Sequence, residues 1–552
     1  MAEQQTVILG SVAGVGLLLG ALILLSLGLS DMNPFGNNDN EPLAKTDCGD
    51  VRGTYDSKLE GFSFKGVPFA APPTGNLRWK PPRAKSSKEG TCWSGTYDAT
   101  KFANACAQID FGSYEYVGSE DCLYLDIYTP SLKEKKPVFV YIHGGSLIGG
   151  NSHTANYAPT LQLAMDMDVV FVSIQYRLGA LGFLVNSDLS NNRGNYGLLD
   201  SIESLRWIKN NIEAFGGDPE NVGVFGHSSG GTLVYGMMVS DDAAGLFHRA
   251  WATGASPVLR GTYKEAVQRN SFFTERAGCG NATMKAECLQ GLSAEVVTWS
   301  AYPEWGQSGS FGLPNRNVFD IPFLVIDGDV LRAGFHESFE RRLGSVNDVP
   351  FMIGTTAQEA EFGPDLPENT PASLAEWTKE IYDTAVRNGL STFGSSIPAE
   401  VLGLYNEDDV TLAFTSLVSD VRINCPNDVL ARAAAGAMTS PVYQYVVTQR
   451  PSSPAFGLMN YAFHTWELFS FFDALDVVLF GAANDMDQKL VDMMQKQMRS
   501  FLVDGKPADP MWKDVQTNTA IFNGNITFVS NYNEGKCNFW NNNGFYEYGS
   551  VN

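Results

Sequence analysis

The chain has 552 residues and a formal net charge of −23 at pH 7. Such an excess of acidic residues argues against nucleic acid and anionic membrane surfaces as partners, because both carry negative charge themselves. Length alone would suggest several domains. No Gly/Ser linker, charge block or repeat divides the sequence after residue 45, so we expect one large α/β domain at 46–552.

The N-terminal region divides into a short tail at 1–5, an apolar segment at 6–30 and a polar linker at 31–45. The apolar segment carries no charge and is long enough to span a bilayer as a helix. We therefore predict a transmembrane signal anchor at 6–30, with a cleaved signal peptide as the alternative. Small residues spaced four apart within it would allow a homodimer, although glycine is common in membrane spans without this role.

The first candidate site follows a predicted buried strand at 137–142. This strand leads into His143-Gly144-Gly145-Ser146, where the glycines permit the backbone to approach a ligand closely. We expect the amides of Gly145 and Ser146 to bind the oxyanion of a tetrahedral intermediate. Losing one such donor typically costs about 3 to 4 kcal/mol of transition-state stabilisation.

The most informative motif is the pentapeptide GHSSG at 226–230, which has the form G-x-S-x-G. The apolar run 221–225 predicts a buried strand before it, and the run 231–238 predicts an apolar helix after it. Ser228 is therefore predicted on a tight strand-to-helix turn that exposes its hydroxyl. The amide of Ser229 would be the third donor to the oxyanion.

A nucleophilic serine needs a histidine base, and the chain has only six histidines. When a strand-to-helix turn of this kind carries the serine, the acid comes later in the chain and the base comes after the acid. Three histidines precede Ser228, and His248 follows it too closely for an acid-bearing strand to intervene. His336 lies in a polar stretch, whereas His464 follows the predicted strand Val442–Val447 and a Pro/Ser-rich loop, so we favour His464.

The acid is expected between the nucleophile and the base. A predicted strand at 349–354 ends in a polar segment at 355–361 that contains Glu359 and Glu361. Either carboxylate could orient the histidine, and the spacing does not choose between them.

Longer motifs occur at 64–73 (FKGVPFAAPP), 119–125 (SEDCLYL), 195–200 (NYGLLD) and 215–219 (FGGDP). With them, the sequence from about Cys48 onwards resembles the type-B carboxylesterase and cholinesterase family. The resemblance implies an α/β-hydrolase fold, with a mostly parallel central sheet flanked by helices and interrupted by large insertions. The family's Glu-Gly motif falls on Glu359, although Ala360 replaces the glycine, and its His-x-x-Glu-Leu motif falls on His464. The resemblance thus implies the triad Ser228, Glu359 and His464.

The cysteines indicate an oxidising compartment. There are eight of them, without a C-x-x-C or His-rich cluster, so we expect disulfides and no metal site. Two N-glycosylation sequons, at Asn281 and Asn525, fit the same compartment. The resemblance implies three disulfides and leaves a fourth pair: Cys106–Cys122, Cys279–Cys288, Cys425–Cys537 and, last, Cys48–Cys92.

Two positions depart from the family pattern. His227 stands where many members have glutamate, and Ser146 stands where many have a third glycine. The His-Gly-Gly-Ser form also resembles the neuroligins, adhesion proteins of the same fold that have lost the nucleophilic serine. This chain keeps that serine. A catalytically weak adhesion or binding protein of neuroligin type is the alternative hypothesis.

The function predicted from the sequence is hydrolysis of a carboxylic ester through an acyl-enzyme. The substrate would be a small-molecule ester or lipid, and no metal or organic cofactor is expected. Choline esters should have no advantage, because the loop between Cys106 and Cys122 has no tryptophan to stack on a quaternary ammonium. We expect the catalytic domain outside the cell or in the lumen, anchored by the N-terminal helix or secreted.

Overall fold

The computed structural model describes residues 42–305, 311–316, 323–343, 346–367 and 370–549. The predicted membrane segment at 6–30 and most of the predicted linker at 31–45 lie outside these residues. None of the helices within the described ranges is long and apolar enough to cross a membrane.

The strands form one large sheet and two small ones. The small sheets are β1-β2-β5 and β6-β7, and the first of them includes the last residues of the predicted linker. The strands are β1 (Leu43–Thr46), β2 (Gly49–Arg52), β3 (Thr54–Asp56), β4 (Gly61–Pro68), β5 (Tyr97–Asp98), β6 (Gln108–Ile109), β7 (Tyr116–Val117), β8 (Tyr124–Thr129), β9 (Lys136–Ile142), β10 (Val170–Ile174), β11 (Gly217–His227), β12 (Arg249–Thr253), β13 (Phe351–Thr356), β14 (Val442–Val447), β15 (Thr519–Phe522) and β16 (Ile526–Val529).

The large sheet has eleven strands in the order β16-β15-β14-β13-β12-β11-β9-β10-β8-β4-β3. Its seven strands from β15 to β10 are parallel. The pairs at the two edges are antiparallel. The predicted α/β class with a mostly parallel sheet is therefore confirmed. The carboxyl ends of the parallel strands lie on one edge of the sheet, where sites of such folds are built.

Both faces of the sheet are buried because the apolar side chains of its strands point alternately to two cores. In β9, Val138 and Val140 pack into one core, whereas Phe139 and Tyr141 pack into the other. Successive side chains of a strand point to opposite faces, so this continuous apolar run requires cover on both sides.

Helices supply this cover on each face. Helices α3 and α4 contribute to the core that contains Val138, and helices α1, α14 and α16 contribute to the core that contains Phe139. The helices are α1 (Leu161–Met167), α2 (Gly179–Phe183), α3 (Tyr196–Asn211), α4 (Ser229–Met238), α5 (Tyr263–Arg269), α6 (Phe272–Arg276), α7 (Lys285–Gln290), α8 (Ala294–Trp305), α9 (Phe335–Arg341), α10 (Lys379–Leu390), α11 (Ile397–Leu404), α12 (Val410–Ser419), α13 (Cys425–Ala437), α14 (Trp466–Phe471), α15 (Leu475–Val478), α16 (Asp485–Asp504) and α17 (Glu534–Asn542).

Two long insertions interrupt the alternation of strands and helices. The insertion between β12 and β13 carries α5 to α9, and the insertion between β13 and β14 carries α10 to α13. The second insertion has a core of its own, in which Tyr382 and Phe414 share a cluster with Trp540 of α17. These insertions leave the strand ends of the sheet in place while adding structure around them.

Four disulfide bonds tie outer parts of the fold together. The Cα atoms of the paired cysteines are 4.9 to 5.8 Å apart, within the usual range. One of them joins the C-terminal helix α17 to α13. The pairs are those named in the sequence analysis: Cys48–Cys92, Cys106–Cys122, Cys279–Cys288 and Cys425–Cys537.

Candidate active site

The turn between β11 and α4 holds Ser228 in a strained conformation. Its φ of 57° and ψ of −129° lie outside the regions that residues with a side chain normally adopt. A Cβ on Gly226 would collide with the carbonyl oxygen of Gly230, and a Cβ on Gly230 would collide with that of Ile142. The turn can therefore close only with glycine at both positions, and Ser228 is left at the carboxyl end of the strand.

The loop after β9 lies directly against this turn. A Cβ on Gly144 would be 2.8 Å from the Cβ of Ser228, so the loop backbone contacts the serine. Gly145 and Ser146 both have positive φ, at 119° and 53°. The predicted oxyanion loop thus lies beside the predicted nucleophile, with a backbone path that turns sharply at the two residues expected to supply amides.

Contacts outside the turn hold this loop in place. The amide of Leu147 donates a hydrogen bond of 3.1 Å to Oγ of Ser229. Gln108 binds both backbone groups of Gly150: it accepts from the amide at 2.8 Å and donates to the carbonyl at 2.9 Å. Gln108 was not predicted from the sequence, because no motif marks a glutamine that contacts a loop 42 residues away.

The structure brings His464 and Glu359 together. Nδ1 of His464 and Oε2 of Glu359 are 2.5 Å apart, and Oε1 of Glu359 accepts a hydrogen bond of 2.7 Å from the amide of Thr356. Glu359 is completely buried and His464 is 5% exposed. A Cβ on Gly254, just after β12, would be 2.8 Å from the imidazole, so the backbone packs against the ring.

The competing carboxylate, Glu361, binds the backbone of the loop that precedes His464. Its two oxygens accept hydrogen bonds of 2.8 Å each from the amides of Asn460 and Tyr461. Burial raises the pKa of Glu361 to about 7, although these two hydrogen bonds act in the opposite direction. Of the two glutamates that the residues alone could not separate, Glu359 contacts the histidine and Glu361 contacts its loop.

The other predicted positions lie elsewhere on the molecule. His336, the alternative base, is on α9, where its ring is 5.3 Å from the ring of Tyr546. The sequon residues Asn281 and Asn525 are both exposed. Within the described ranges, no group of three or more His, Cys, Asp or Glu side chains could hold a metal ion.

A second buried histidine lies against the first. The ring centroids of His227 and His464 are 4.5 Å apart. Burial and the neighbouring His464 lower the pKa of His227 well below its ordinary value. Glu467 is also completely buried, and burial together with the charge of Glu359 raises its pKa to about 8. The candidate site therefore holds more titratable groups than the triad alone.

Aromatic side chains line the surroundings of the imidazole. The rings of Phe311 and Phe362 have their centroids 5.4 and 6.1 Å from that of His464. The ring of Phe111, in the loop closed by the Cys106–Cys122 disulfide, would meet a Cβ placed on Gly149 at 2.5 Å. This arrangement offers apolar contacts rather than charged ones to a molecule bound beside Ser228.

The chain is similar to known proteins in both sequence and fold. Residues 40–540 match the model of the Carboxylesterase family. Liver carboxylesterase 1 of Mus musculus is 32% identical over 530 residues, which are 89% of this chain and 89% of that protein. Neurotactin of Drosophila melanogaster is 34% identical over 422 residues, which are 74% of this chain and 47% of neurotactin, so the match spans about half of that relative. The structure of PNB esterase is similar with a TM-score of 0.72 at 27% identity, covering 91% of this chain and 100% of that chain.

Proposed function

The chain belongs to the carboxylesterase family, and we propose that it hydrolyses carboxylic esters with Ser228 as nucleophile, His464 as base and Glu359 as acid. The observation that carries the proposal is the contact of 2.5 Å between His464 and Glu359, at the same sheet edge as the strained turn of Ser228. A histidine oriented by a carboxylate, at the sheet edge that also carries a serine on a strained turn, is the arrangement that nucleophilic acyl transfer needs.

In the acylation step, Oγ of Ser228 attacks the ester carbonyl carbon while Nε2 of His464 accepts the hydroxyl proton. Glu359 accepts a hydrogen bond from Nδ1 of His464, which fixes the tautomer and stabilises the imidazolium. The carbonyl oxygen becomes an oxyanion, bound by the amides of Gly145, Ser146 and Ser229. Collapse of the intermediate breaks the ester bond, and His464 protonates the departing alcohol.

Deacylation repeats this route with water as the nucleophile. His464 removes a proton from the water as its oxygen attacks the acyl carbon on Ser228, and the same amides bind the second oxyanion. The second intermediate expels Oγ of Ser228, which recovers its proton from His464. The products are the free serine and a carboxylic acid, so the cycle needs only the side chains and amides named here.

The surroundings of the site favour an uncharged ester as substrate. Phe311 and Phe362 lie beside the base, and Phe111 lies against the oxyanion loop. The residue that precedes the nucleophile in the sequence is the buried His227 and not a carboxylate. We therefore propose neutral small-molecule esters or lipids, and a screen over acyl-chain lengths would define the acyl group.

The proposal is tested by labelling the purified protein with a fluorophosphonate and measuring hydrolysis of a p-nitrophenyl ester. The wild-type protein should label at Ser228 and turn over the ester. Ser228→Ala should lose the label and lower kcat by roughly 10⁴-fold or more, since a triad acts as a unit. Its melting temperature should stay unchanged, because the residue is small and its role is chemical.

A binding role of neuroligin type is the second candidate. The 34% identity to neurotactin, a relative whose name does not denote an esterase, is the observation that favours it. Under this hypothesis the wild-type protein neither labels with the fluorophosphonate nor hydrolyses any ester of the screen. Equal behaviour of wild type and Ser228→Ala would then replace the esterase proposal with the binding one.

The four disulfides indicate an extracellular or lumenal location, because such bonds persist in oxidising compartments. We propose that residues 6–30 anchor the domain to the membrane as a type II signal anchor and that the exposed Asn281 and Asn525 carry glycans. Extraction of membranes with alkaline carbonate and mapping of glycans test this. Soluble protein that begins near residue 31 would show a cleaved signal peptide instead.

A further inference from the structure

A line of three side chains lies next to the proposed base: Tyr157, His227 and Glu467. The hydroxyl of Tyr157 is 2.5 Å from Nδ1 of His227. On the other side of the ring, Nε2 of His227 is 3.7 Å from Oε1 of Glu467. Tyr157 lies in the loop between β9 and α1, His227 ends β11, and Glu467 lies in α14. Only the tertiary structure joins the three groups.

Two atoms of this line have no hydrogen-bond partner among the described residues. Nε2 of His227 and Oε2 of Glu467 are buried and form no hydrogen bond, and both residues are completely inaccessible to solvent. A buried polar atom without a partner is unfavourable, so a short movement that brings Nε2 of His227 within hydrogen-bond distance of the Glu467 carboxyl group would be stabilising. The oxygen 3.7 Å away, Oε1, already accepts a hydrogen bond from Thr253. His227 is therefore held between a hydroxyl and a carboxyl group.

The line carries no net charge at neutral pH. Burial and the charge of Glu359 raise the pKa of Glu467 to about 8, while a hydrogen bond of 2.7 Å from Thr253 opposes this shift. Burial and His464 lower the pKa of His227, so its imidazole is neutral. Burial raises the pKa of Tyr157, which stays a phenol.

The uncharged imidazole of His227 is in contact with the base. Its ring centroid is 4.5 Å from that of His464, with an angle of 41° between the ring planes. At this distance a full charge would shift the protonation of His464 strongly. Three titratable groups lie against this pair: Glu359, Glu467 and Tyr157. Two further tyrosines interact with these groups, Tyr141 of β9 with Tyr157 and Glu467, and Tyr445 of β14 with Glu467 and Glu359.

We infer that His227 is a positioning residue for the base: an uncharged group, held by Tyr157 and Glu467, that packs on His464 and adds no charge to that of Glu359. This inference rests on the proposed esterase function. A carboxylate in place of His227 would add a second negative charge beside the imidazole and favour its protonated form. The unprotonated base would then be lost at a higher pH, so His227 extends activity toward acidic conditions.

The test compares the pH dependence of kcat/KM for a p-nitrophenyl ester in wild type, His227→Glu and His227→Gln. His227→Glu should move the midpoint of the acid limb upward by about 1 to 2 pH units. The acid limb of His227→Gln should have the same midpoint as that of the wild type, because glutamine is uncharged. This holds even if kcat falls. A loss of packing alone would lower kcat in both variants without moving either limb.

A second measurement keeps the inference independent of turnover. The titration midpoint of the His464 ring, followed by NMR with isotope-labelled histidine and assigned by loss of the signal in His464→Gln, should move upward in His227→Glu. His227→Asp carries the same charge if the glutamate variant does not fold. If the wild type is active and neither the acid limb nor the titration of the His464 ring moves in these variants, the inference is overturned while the esterase proposal stands. An inactive wild type overturns the esterase proposal, and the ring titration still decides the role of His227.

Discussion

The turn at 226–230 and the loops that carry Glu359 and His464 are held by different kinds of contact. The turn is contiguous in sequence, and its shape comes from glycines that leave no room for a Cβ. Glu359 and His464 are 105 residues apart and meet through a hydrogen bond. Their loops are joined again where the amide of Gln358 donates to the carbonyl of Ala462 at 2.9 Å.

The site therefore has two halves. The steric half is the turn at 226–230 with the adjoining loop at 143–146, and the electrostatic half is formed by the loops of Glu359 and His464. On the serine side, a single added methyl group would displace backbone atoms, at every pH. On the histidine side, the partly buried Glu361 and the buried Glu467 have raised pKa values of about 7 and about 8, so charge and pH change the contacts without any change of volume. Variants of the two sides should therefore differ in how their activity depends on pH.

After the loss of Ser228 itself, the largest effect is expected from the acid. Glu359→Gln should lower kcat by about 10³ to 10⁴-fold, because the amide no longer orients and stabilises the imidazolium. Glu361→Gln should lower kcat by about 10-fold at most, because it disturbs the loop at Asn460 and Tyr461 while the contact to His464 remains. Steady-state kinetics of both variants measure this, and equal losses would mean that the acid is wrongly assigned.

Gly144→Ala tests the steric half. Its Cβ would be 2.7 Å from the hydroxyl of Tyr157 and 2.8 Å from the Cβ of Ser228, so the oxyanion loop must move, and a displacement of this kind costs about 10²-fold in kcat. The midpoint of the acid limb should stay where it is in the wild type. Gly403→Ala in α11 is the matched control, since its Cβ would meet nothing within 4 Å. A loss in the control as large as in Gly144→Ala would contradict the steric explanation.

Choline esters probe the charge of the histidine half. Acetylcholine and its uncharged analogue 3,3-dimethylbutyl acetate should have kcat/KM values within about 3-fold of each other, because the loop 106–122 offers no tryptophan and His227 is uncharged. His227→Glu should shift the ratio toward acetylcholine. A clear preference of the wild type for the cation would show that another group recognises it.

The smallest effect concerns the stability contributed by Glu467. Its folded pKa of about 8 lies above its ordinary value of 4.5, so between these values the folded protein holds a proton that the unfolded chain releases. The free energy of unfolding therefore falls as pH rises through this window. Glu467→Gln does not titrate, so its melting temperature relative to wild type should rise by on the order of 1 to 3 °C from pH 5 to pH 8. A difference in melting temperature that is the same at pH 5 and pH 8 would mean that Glu467 is ionised in the folded protein at both pH values.

The mostly parallel sheet was implied by the family resemblance, whereas the residues themselves predicted the buried strands, the turn of Ser228 and the oxyanion loop at Gly145. These features are local: apolar runs set the strands and the helix, and glycines beside Ser228 set the turn. His464 could be favoured because few histidines were available and only one followed a suitable strand. Each of these predictions depends on residues close together in the chain.

The residues alone did not show which glutamate meets His464, because Glu359 and Glu361 lie in one short segment. The family resemblance implied Glu359, and the tertiary structure shows the contact. Only the tertiary structure shows Tyr157 and Glu467, whose contacts with His227 join segments that no periodicity links. The approach of such groups depends on how loops from different strands pack at the sheet edge. Burial there then sets the pKa values, and the sequence carries no local pattern for either.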